Sequence, residues 1–342
     1  MTTVAASEGA PPLIALHAVG RDFDVSKPWL NRVLERTPRQ LLRAVDDFSV
    51  QVRKGETMAL VGESGCGKST VARLIVGLFP PSRGSIEFDG NAQTTSTAGA
   101  WGPEVRRRMQ MIFQDPYASL NPRWRVMDIV AEPLLAHGVL TRRADLQARV
   151  FELLGQVGLT PADGDKYPHE FSGGQRQRIS IARALSSAPE FLACDEPTSA
   201  LDVSVQAQIL NLMKDLQDRL GLTYLFISHN LAVVSAMATR VGVMYLGRLV
   251  ELADAAMLFA RPRHPYTRML LDAIPDIEMS GRPRTPVAGE VANPLEPPPG
   301  CAFHPRCPLS NQRCRIERPE LKAEPEGALV ACHAVAEGRA PA

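Results

Sequence analysis

The run Gly62-Glu63-Ser64-Gly65-Cys66-Gly67-Lys68-Ser69-Thr70 carries the densest chemical signal in the chain. It follows the apolar Met58–Val61 and leads into an apolar segment reaching Phe79, an order that predicts strand, glycine loop and helix. Gly62, Gly67, Lys68 and Ser69 satisfy the pattern G-x-x-x-x-G-K-[ST]. Glycines let backbone N–H groups turn inward around phosphates, and the helix start adds positive potential. Lys68 then reaches β and γ phosphates, and Ser69 can ligate Mg²⁺. Such a loop needs an acidic strand end to complete its metal site. Phe191-Leu-Ala-Cys194-Asp195-Glu196 supplies one. Asp195 can hold Mg²⁺ through its water shell, and Glu196 can polarise an attacking water.

Other segments carry weaker chemistry. Phe171-Ser172-Gly173-Gly174-Gln175 precedes a helical pattern and forms a second anion-binding helix start. Two separated loops cannot cradle one nucleotide unless they converge, or unless the second serves a partner's nucleotide. The apolar strand Met111–Phe113 ends in Gln114, and the strand Thr223–Ile227 is followed by Ser228 and His229. A solitary histidine after a strand is by itself more often structural. Near the end, Cys301, Cys307, Cys314 and Cys332 are spaced C-x5-C-x6-C-x17-C. Zinc fingers use shorter gaps. Four thiolates suit zinc, with His304 and His333 as further ligands, or an iron–sulfur cluster, while free thiols are the alternative. Cys66 and Cys194 sit inside the nucleotide motifs and read as small packing residues.

The frame that must position these groups has 342 residues, enough for one large domain or two ordinary ones. Lys plus Arg number 38 and Asp plus Glu 37, a net charge of +1, and 45% of residues are hydrophobic. That disfavours both a disordered acidic chain and a strongly basic nucleic-acid binder. No apolar run approaches the ~20 residues that span a bilayer, and Met1–Ala10 has no secretory character. A cytosolic chain is expected, in which clustered cysteines are metal ligands or free thiols rather than disulfides. Leu146, Val150, Leu153, Leu154 and Val157 form a helical stripe closed by Gly158. Val205, Ile209, Leu212, Met213, Leu216 and Leu220 form another, stopped by Gly221. Both stripes read as core. Of 28 prolines, 11 fall from Pro283 onward, so a globular body of about 280 residues is expected to precede a tail with few apolar residues. Metal ligation would substitute there for a core.

In this order the segments resemble the ATPase subunits of ABC transporters: phosphate loop Gly62–Thr70, Q-loop Gln114, signature Phe171–Gln175, Walker B Phe191–Glu196, D-loop Ser199–Asp202 and H-loop His229. Phe171 departs from the leucine that usually opens the signature. The resemblance implies an α/β fold, a P-loop NTPase of ABC type. This has a RecA-like core, an antiparallel β subdomain and a helical subdomain over about 115–185, together spanning 13–275. It also implies a head-to-tail dimer in which each ATP lies between one subunit's phosphate loop and the other's signature. The roles follow. Lys68, Ser69 and the loop hold phosphates and Mg²⁺, with Asp195. Gln114 senses metal and water, Glu196 is the general base, and His229 contacts the γ-phosphate. Ser172, Gly173, Gly174 and Gln175 serve the opposite site, with Asp202 of the D-loop, and Phe23 stacks on adenine. Asp115–Pro122 would receive the coupling helices of two membrane permease subunits.

His264-Pro-Tyr266-Thr267 and Pro298–Pro308 further resemble the C-terminal extension of oligopeptide and dipeptide importer ATPases, here 276–342. The loop around Trp29 is closer to the second ATPase of such importers. Some members of this branch carry a [4Fe-4S] cluster at matching cysteines, which implies the same ligands in Cys301, Cys307, Cys314 and Cys332, with zinc as the alternative. The implied protein is peripheral on the cytoplasmic face of the membrane. It pairs with a paralogue or a second copy and is served by an extracytoplasmic binding protein that selects peptides or similar solutes. It contacts no nucleic acid. A soluble ABC ATPase acting on DNA or ribosomes is the alternative, and a non-hydrolysing scaffold is disfavoured because Lys68, Asp195, Glu196 and His229 are all present.

Overall fold

The structure is a computed structural model that describes residues 11–36, 38–94, 101–273, 289–290 and 292–340. Its strands are β1 (Ile14–Asp24), β2 (Leu41–Val52), β3 (Thr57–Val61), β4 (Arg83–Phe88), β5 (Asn91–Thr94), β6 (Met109–Ile112), β7 (Phe191–Asp195), β8 (Thr223–Ile227), β9 (Arg240–Tyr245), β10 (Arg248–Asp254), β11 (Lys322–Ala323) and β12 (Leu329–Val330). An antiparallel sheet has the order β2-β1-β4-β5, and a larger mixed sheet the order β11-β12-β10-β9-β3-β8-β7-β6. The stretch from β9 to β6 is parallel. Strands β3, β7 and β8 are buried along their whole length. Continuous apolar runs such as Met58–Val61 belong in such doubly covered parallel strands, where an alternating pattern would leave polar side chains without water.

Helices fill the stretch between β6 and β7. Val126–Ala136, Arg143–Gln156 and Gly173–Leu185 share a core that includes Ile129, Val150, Leu153, Leu154 and Ile179. The expected stripes are largely internal. Leu220 is the exception: it is 49% exposed at the last turn of the Val203–Leu220 helix, and Leu210 is buried within that helix. Gly221, at φ +66°, stops this helix as a left-handed C-cap. Among the described residues no helix is long and apolar enough to cross a membrane.

The proline- and cysteine-rich stretch departs from expectation. It is no unsupported tail, because β12 pairs antiparallel with β10 through Glu251↔Val330 and Leu252↔Leu329. Phe303, Ala328 and Val330 also enter a core shared with Val61, Val243, Tyr245 and Tyr266. Apolar burial and sheet extension thus support this stretch. The expected boundary at Pro275 lies outside the described residues.

Polar groups at this seam are fully buried. Glu251 accepts the backbone N–H groups of Arg263 (2.8 Å) and His264 (2.9 Å). His264 caps the Pro265–Asp272 helix, its Nδ1 accepting the Tyr266 N–H at 3.0 Å. That role requires a neutral ring, and burial pushes the His264 pKa from 6.5 down to about 3. Between those values the unfolded chain binds a proton that the folded protein refuses. The stability carried by neutral His264 is therefore present above about pH 6.5 and is lost as pH falls toward 3. The melting temperature should drop on acidification through this window. His264→Asn, which keeps a capping acceptor but cannot titrate, should flatten that drop, as a thermal-denaturation series against pH would show.

Candidate nucleotide site

The phosphate loop leaves β3 through Gly62 at φ +147°, where a Cβ would lie 2.3 Å from the Met244 carbonyl oxygen. Gly67, at φ +106°, is equally constrained, with its would-be Cβ 2.2 Å from the Ala44 oxygen. The loop is thus pressed against two neighbouring backbones, which only glycine allows. Lys68 is buried and laces the loop from within: its Nζ donates to the carbonyls of Gly62 (2.8 Å) and Glu63 (3.0 Å). No side chain caps the Lys68–Ile75 helix, so its first N–H groups suit an anion. Cys66 is buried beside Lys68, and burial raises its thiol pKa.

Three other strand ends converge here. Asp195, last residue of β7, is buried and accepts the Ser69 hydroxyl at 2.7 Å. Burial raises its pKa, and the Ser69 hydrogen bond counteracts this. Glu196 follows in the left-handed region at φ +48°, its N–H bonded to the Ile227 carbonyl of β8 at 3.0 Å. A non-glycine residue held there costs about 1–3 kcal/mol, a kind of strain that clusters at functional sites. The Glu196 carboxylate lies between two partners. Gln114 Nε2 donates to its Oε2 at 3.0 Å, and His229 Nδ1 lies 3.2 Å from its Oε1. The structure thus brings together Lys68 with its loop carbonyls, Ser69 with Asp195, and Gln114 and His229 with Glu196. Ser69, Asp195 and Gln114 offer hard oxygen donors of the kind Mg²⁺ takes alongside phosphate.

The second loop points elsewhere. Ser172 and Gln175 form a reciprocal capping box at the Gly173–Leu185 helix, with Ser172 N–H to Gln175 Oε1 at 3.0 Å. Ser172, Gly173 and Gln175 are exposed to solvent. Gly174 is buried, and its would-be Cβ lies 2.4 Å from Val205, in the helix that exposed Asp202 starts. Phe23, the expected adenine platform, packs edge-on against Phe79 at 5.4 Å, and the Arg21 guanidinium covers one ring face at 4.8 Å.

The four cysteines of the extension share one region. All four lie within electrostatic reach of one another, and burial raises Cys301 to about 12 and Cys307 to about 11. The Cys301 and Cys307 thiols therefore hold their protons near neutrality. Among the described residues, however, no group of three or more His, Cys, Asp or Glu side chains is arranged to hold a metal ion. The sequence spacing implies a ligand set, but the fold brings the cysteines only into one neighbourhood.

Sequence reasoning missed two contacts on Glu63, from Tyr266 and Arg306. Tyr266 accepts the Glu63 N–H through its hydroxyl at 2.8 Å. Arg306 grips the Glu63 carboxylate with two bonds of 2.7 and 2.8 Å. A contact spanning 243 positions leaves no local pattern to read. The available signal was a charged residue, Arg306, inside a motif whose cysteines drew the attention.

Residues 45–199 match the family described as ABC transporter, and 250–314 the family described as oligopeptide/dipeptide transporter, C-terminal region. The chain is 50% identical over 330 residues to a putative peptide import ATP-binding protein of Brucella abortus, covering 96% of each chain. It is 48% identical to the oligopeptide transport ATP-binding protein AppF of Bacillus subtilis, covering 85% of this chain and 89% of that one. It is 50% identical to the di/tripeptide transport ATP-binding protein DppF of Pseudomonas aeruginosa, covering 85% and 90%. Among solved structures, the ATP-binding cassette MJ0796, dimeric and bound to ADP and Pi, matches at TM-score 0.60 and 25% identity over 71% of this chain and 98% of its own.

Gly67→Ala should destabilise the protein by about 2 kcal/mol through strain at positive φ and the clash with Ala44, and should weaken nucleotide binding. Thermal melts and a fluorescent-nucleotide titration check both effects.

Proposed function

The chain belongs to the ATP-binding subunits of ABC transporters, and from that premise we propose that it drives import of peptides or similar small solutes through two separate membrane permeases. The observation that carries the reading is the convergence of Lys68, the Ser69–Asp195 pair and a Glu196 carboxylate held by Gln114 and His229 at one edge of a parallel sheet. Lys68 and the loop N–H groups from Gly62, Glu63, Ser64, Gly65, Cys66 and Gly67 through Thr70 neutralise and orient the β and γ phosphates. Ser69, Asp195 and Gln114 would hold Mg²⁺, which when bound shields phosphate charge. Glu196 accepts the proton of the attacking water, oriented by Gln114, and His229 lies on the γ-phosphate side. Phe23 stacks on adenine.

The exposed signature, Ser172 to Gln175, with Asp202, serves the nucleotide of a second ATPase subunit, a paralogue or another copy. A helix start facing solvent and the dimeric MJ0796 structure support this. A cleft of about 230 Å³ lined by Leu78, Met111, Phe113, Ser119, Pro133 and Arg183 lies where the core sheet meets the helices. It adjoins the Pro116–Ser119 turn capped by Asp115. Here the permeases' cytoplasmic segments dock, placing the protein on the cytoplasmic membrane face, with an extracytoplasmic binding protein supplying the solute. The cassette runs over 13–275 and its extension over 276–342. The names of the relatives favour this over a soluble ATPase on DNA or ribosomes.

Glu196→Gln should retain ATP binding yet slow hydrolysis about 10²–10⁴-fold, measured by single-turnover phosphate release. Near-normal turnover by an assembled complex would remove Glu196 as the base. A [4Fe-4S] cluster on Cys301, Cys307, Cys314 and Cys332 is the finer reading of the extension, supported by the convergence of four thiols and requiring their side chains to close further. Anaerobically purified protein should then contain iron and acid-labile sulfide, and a colourless, iron-free preparation sinks the cluster.

A further inference from the structure

We infer that Arg306 is a positioning residue of the nucleotide site, through which the C-terminal extension sets the affinity of the phosphate loop for MgATP. The inference rests on reading Gly62–Thr70 as the nucleotide site, and it starts from Glu63, the loop's second residue. Three of its polar groups are held by three different parts of the chain. Its carbonyl accepts Lys68 Nζ at 3.0 Å, its N–H donates to the Tyr266 hydroxyl at 2.8 Å, and its carboxylate receives the Arg306 fork at 2.7 and 2.8 Å. The peptide that aims Lys68 is thus fixed from outside the loop.

The far side of the clamp is rigid. The Arg306 side chain is 3% exposed. It leaves a short turn, His304–Arg306, whose preceding Phe303 is buried against Tyr245 (5.4 Å) and Tyr266 (5.4 Å). Tyr266 packs on Tyr245 at 4.8 Å, and its helix is capped by the neutral His264. A guanidinium so well buried is strongly held by its carboxylate, because a buried charge that loses its counter-ion is penalised. A planar fork meeting a carboxylate with two bonds also sets orientation, which a lysine cannot do.

Electrostatics gives the clamp a sign. A bare Glu63 carboxylate in the phosphate loop would oppose the polyanionic nucleotide, and Arg306 cancels that charge. Losing Arg306 therefore both frees the Glu63 peptide and exposes a repulsive charge. Losing Glu63 as well removes the repulsion.

The experiment measures MgATP Kd and saturating kcat on full-length chains assembled with the permeases. Arg306→Gln should raise Kd about tenfold, the scale of one charged hydrogen bond, with kcat changed by less than about twofold. Arg306→Lys, keeping charge without the fork, should fall between Arg306→Gln and the unaltered protein. The double variant Arg306→Gln/Glu63→Gln should bind more tightly than Arg306→Gln alone. Tyr266→Phe deletes only the acceptor of the Glu63 N–H and should raise Kd about threefold. If Arg306→Gln does not fold, Arg306→Lys, which keeps the buried charge, carries the test. An unchanged Kd in folded Arg306→Gln or Arg306→Lys overturns the inference, as does a double variant that binds no better than Arg306→Gln. Lys68→Ala separates the two readings. It should abolish MgATP binding, and if it binds normally the nucleotide-site assignment itself fails, whatever Arg306 does.

Discussion

Everything at the site depends on the register of four parallel strands. Ile112 pairs with Cys194, Asp195 with Ile227 and Leu60 with Ile227. The carboxyl ends of β6, β7, β8 and β3 therefore finish nearly level, and the residues just beyond them, Gln114, Glu196, His229 and Gly62, meet at one edge. Side chains alternate along a strand, so a slip of one residue would turn Asp195 away from Ser69. Total burial of β3, β7 and β8 fixes the register, because no shifted pairing would bury the same apolar set. Ligands collect at this edge in open α/β sheets generally, and here the loops supply the chemistry.

Charge is balanced locally at that edge. Lys68 spends its donors on loop carbonyls, Asp195 is matched to the Ser69 hydroxyl, and Glu196 sits between an amide and an imidazole. Each is a charge partly or wholly out of water, where a lost partner costs more than the bond itself contributes. The left-handed backbone at Glu196 belongs to the same arrangement, since its N–H is anchored to the neighbouring strand while its side chain stands between Gln114 and His229.

Much of this was legible in the sequence because each motif couples a local period with a chemical residue. Met58–Val61 ends in glycines, Phe191–Asp195 in carboxylates and Thr223–Ile227 before a histidine, and each is a strand whose end is marked by residues that cannot continue it. Helix stops were equally local, as at Gly221. What failed was non-local. Nothing near Glu63 announces Tyr266 or Arg306, and two-residue strands such as Lys322–Ala323 and Leu329–Val330 are too short to show any period. Leu220 fits its stripe by spacing but falls on the final turn, where no neighbour covers it. The cysteine spacing suggested ligands, and spacing cannot say how four thiols orient. The Arg21 guanidinium over one face of Phe23 is likewise a tertiary contact that no local pattern shows.

The tie between Glu63 and Arg306 also fixes an order in time. A chain is made from its amino end, so β3 and the phosphate loop exist long before the residues that clamp them: Tyr266 comes 203 positions after Glu63 and Arg306 243. Throughout that interval Glu63 lacks Arg306, and for the first 203 positions its N–H lacks Tyr266 as well. On the inference drawn above, the loop reaches its full affinity for a nucleotide only after Arg306 has been added. A chain interrupted before Arg306 keeps every motif of an ATPase, yet its loop lacks the contact that readies it.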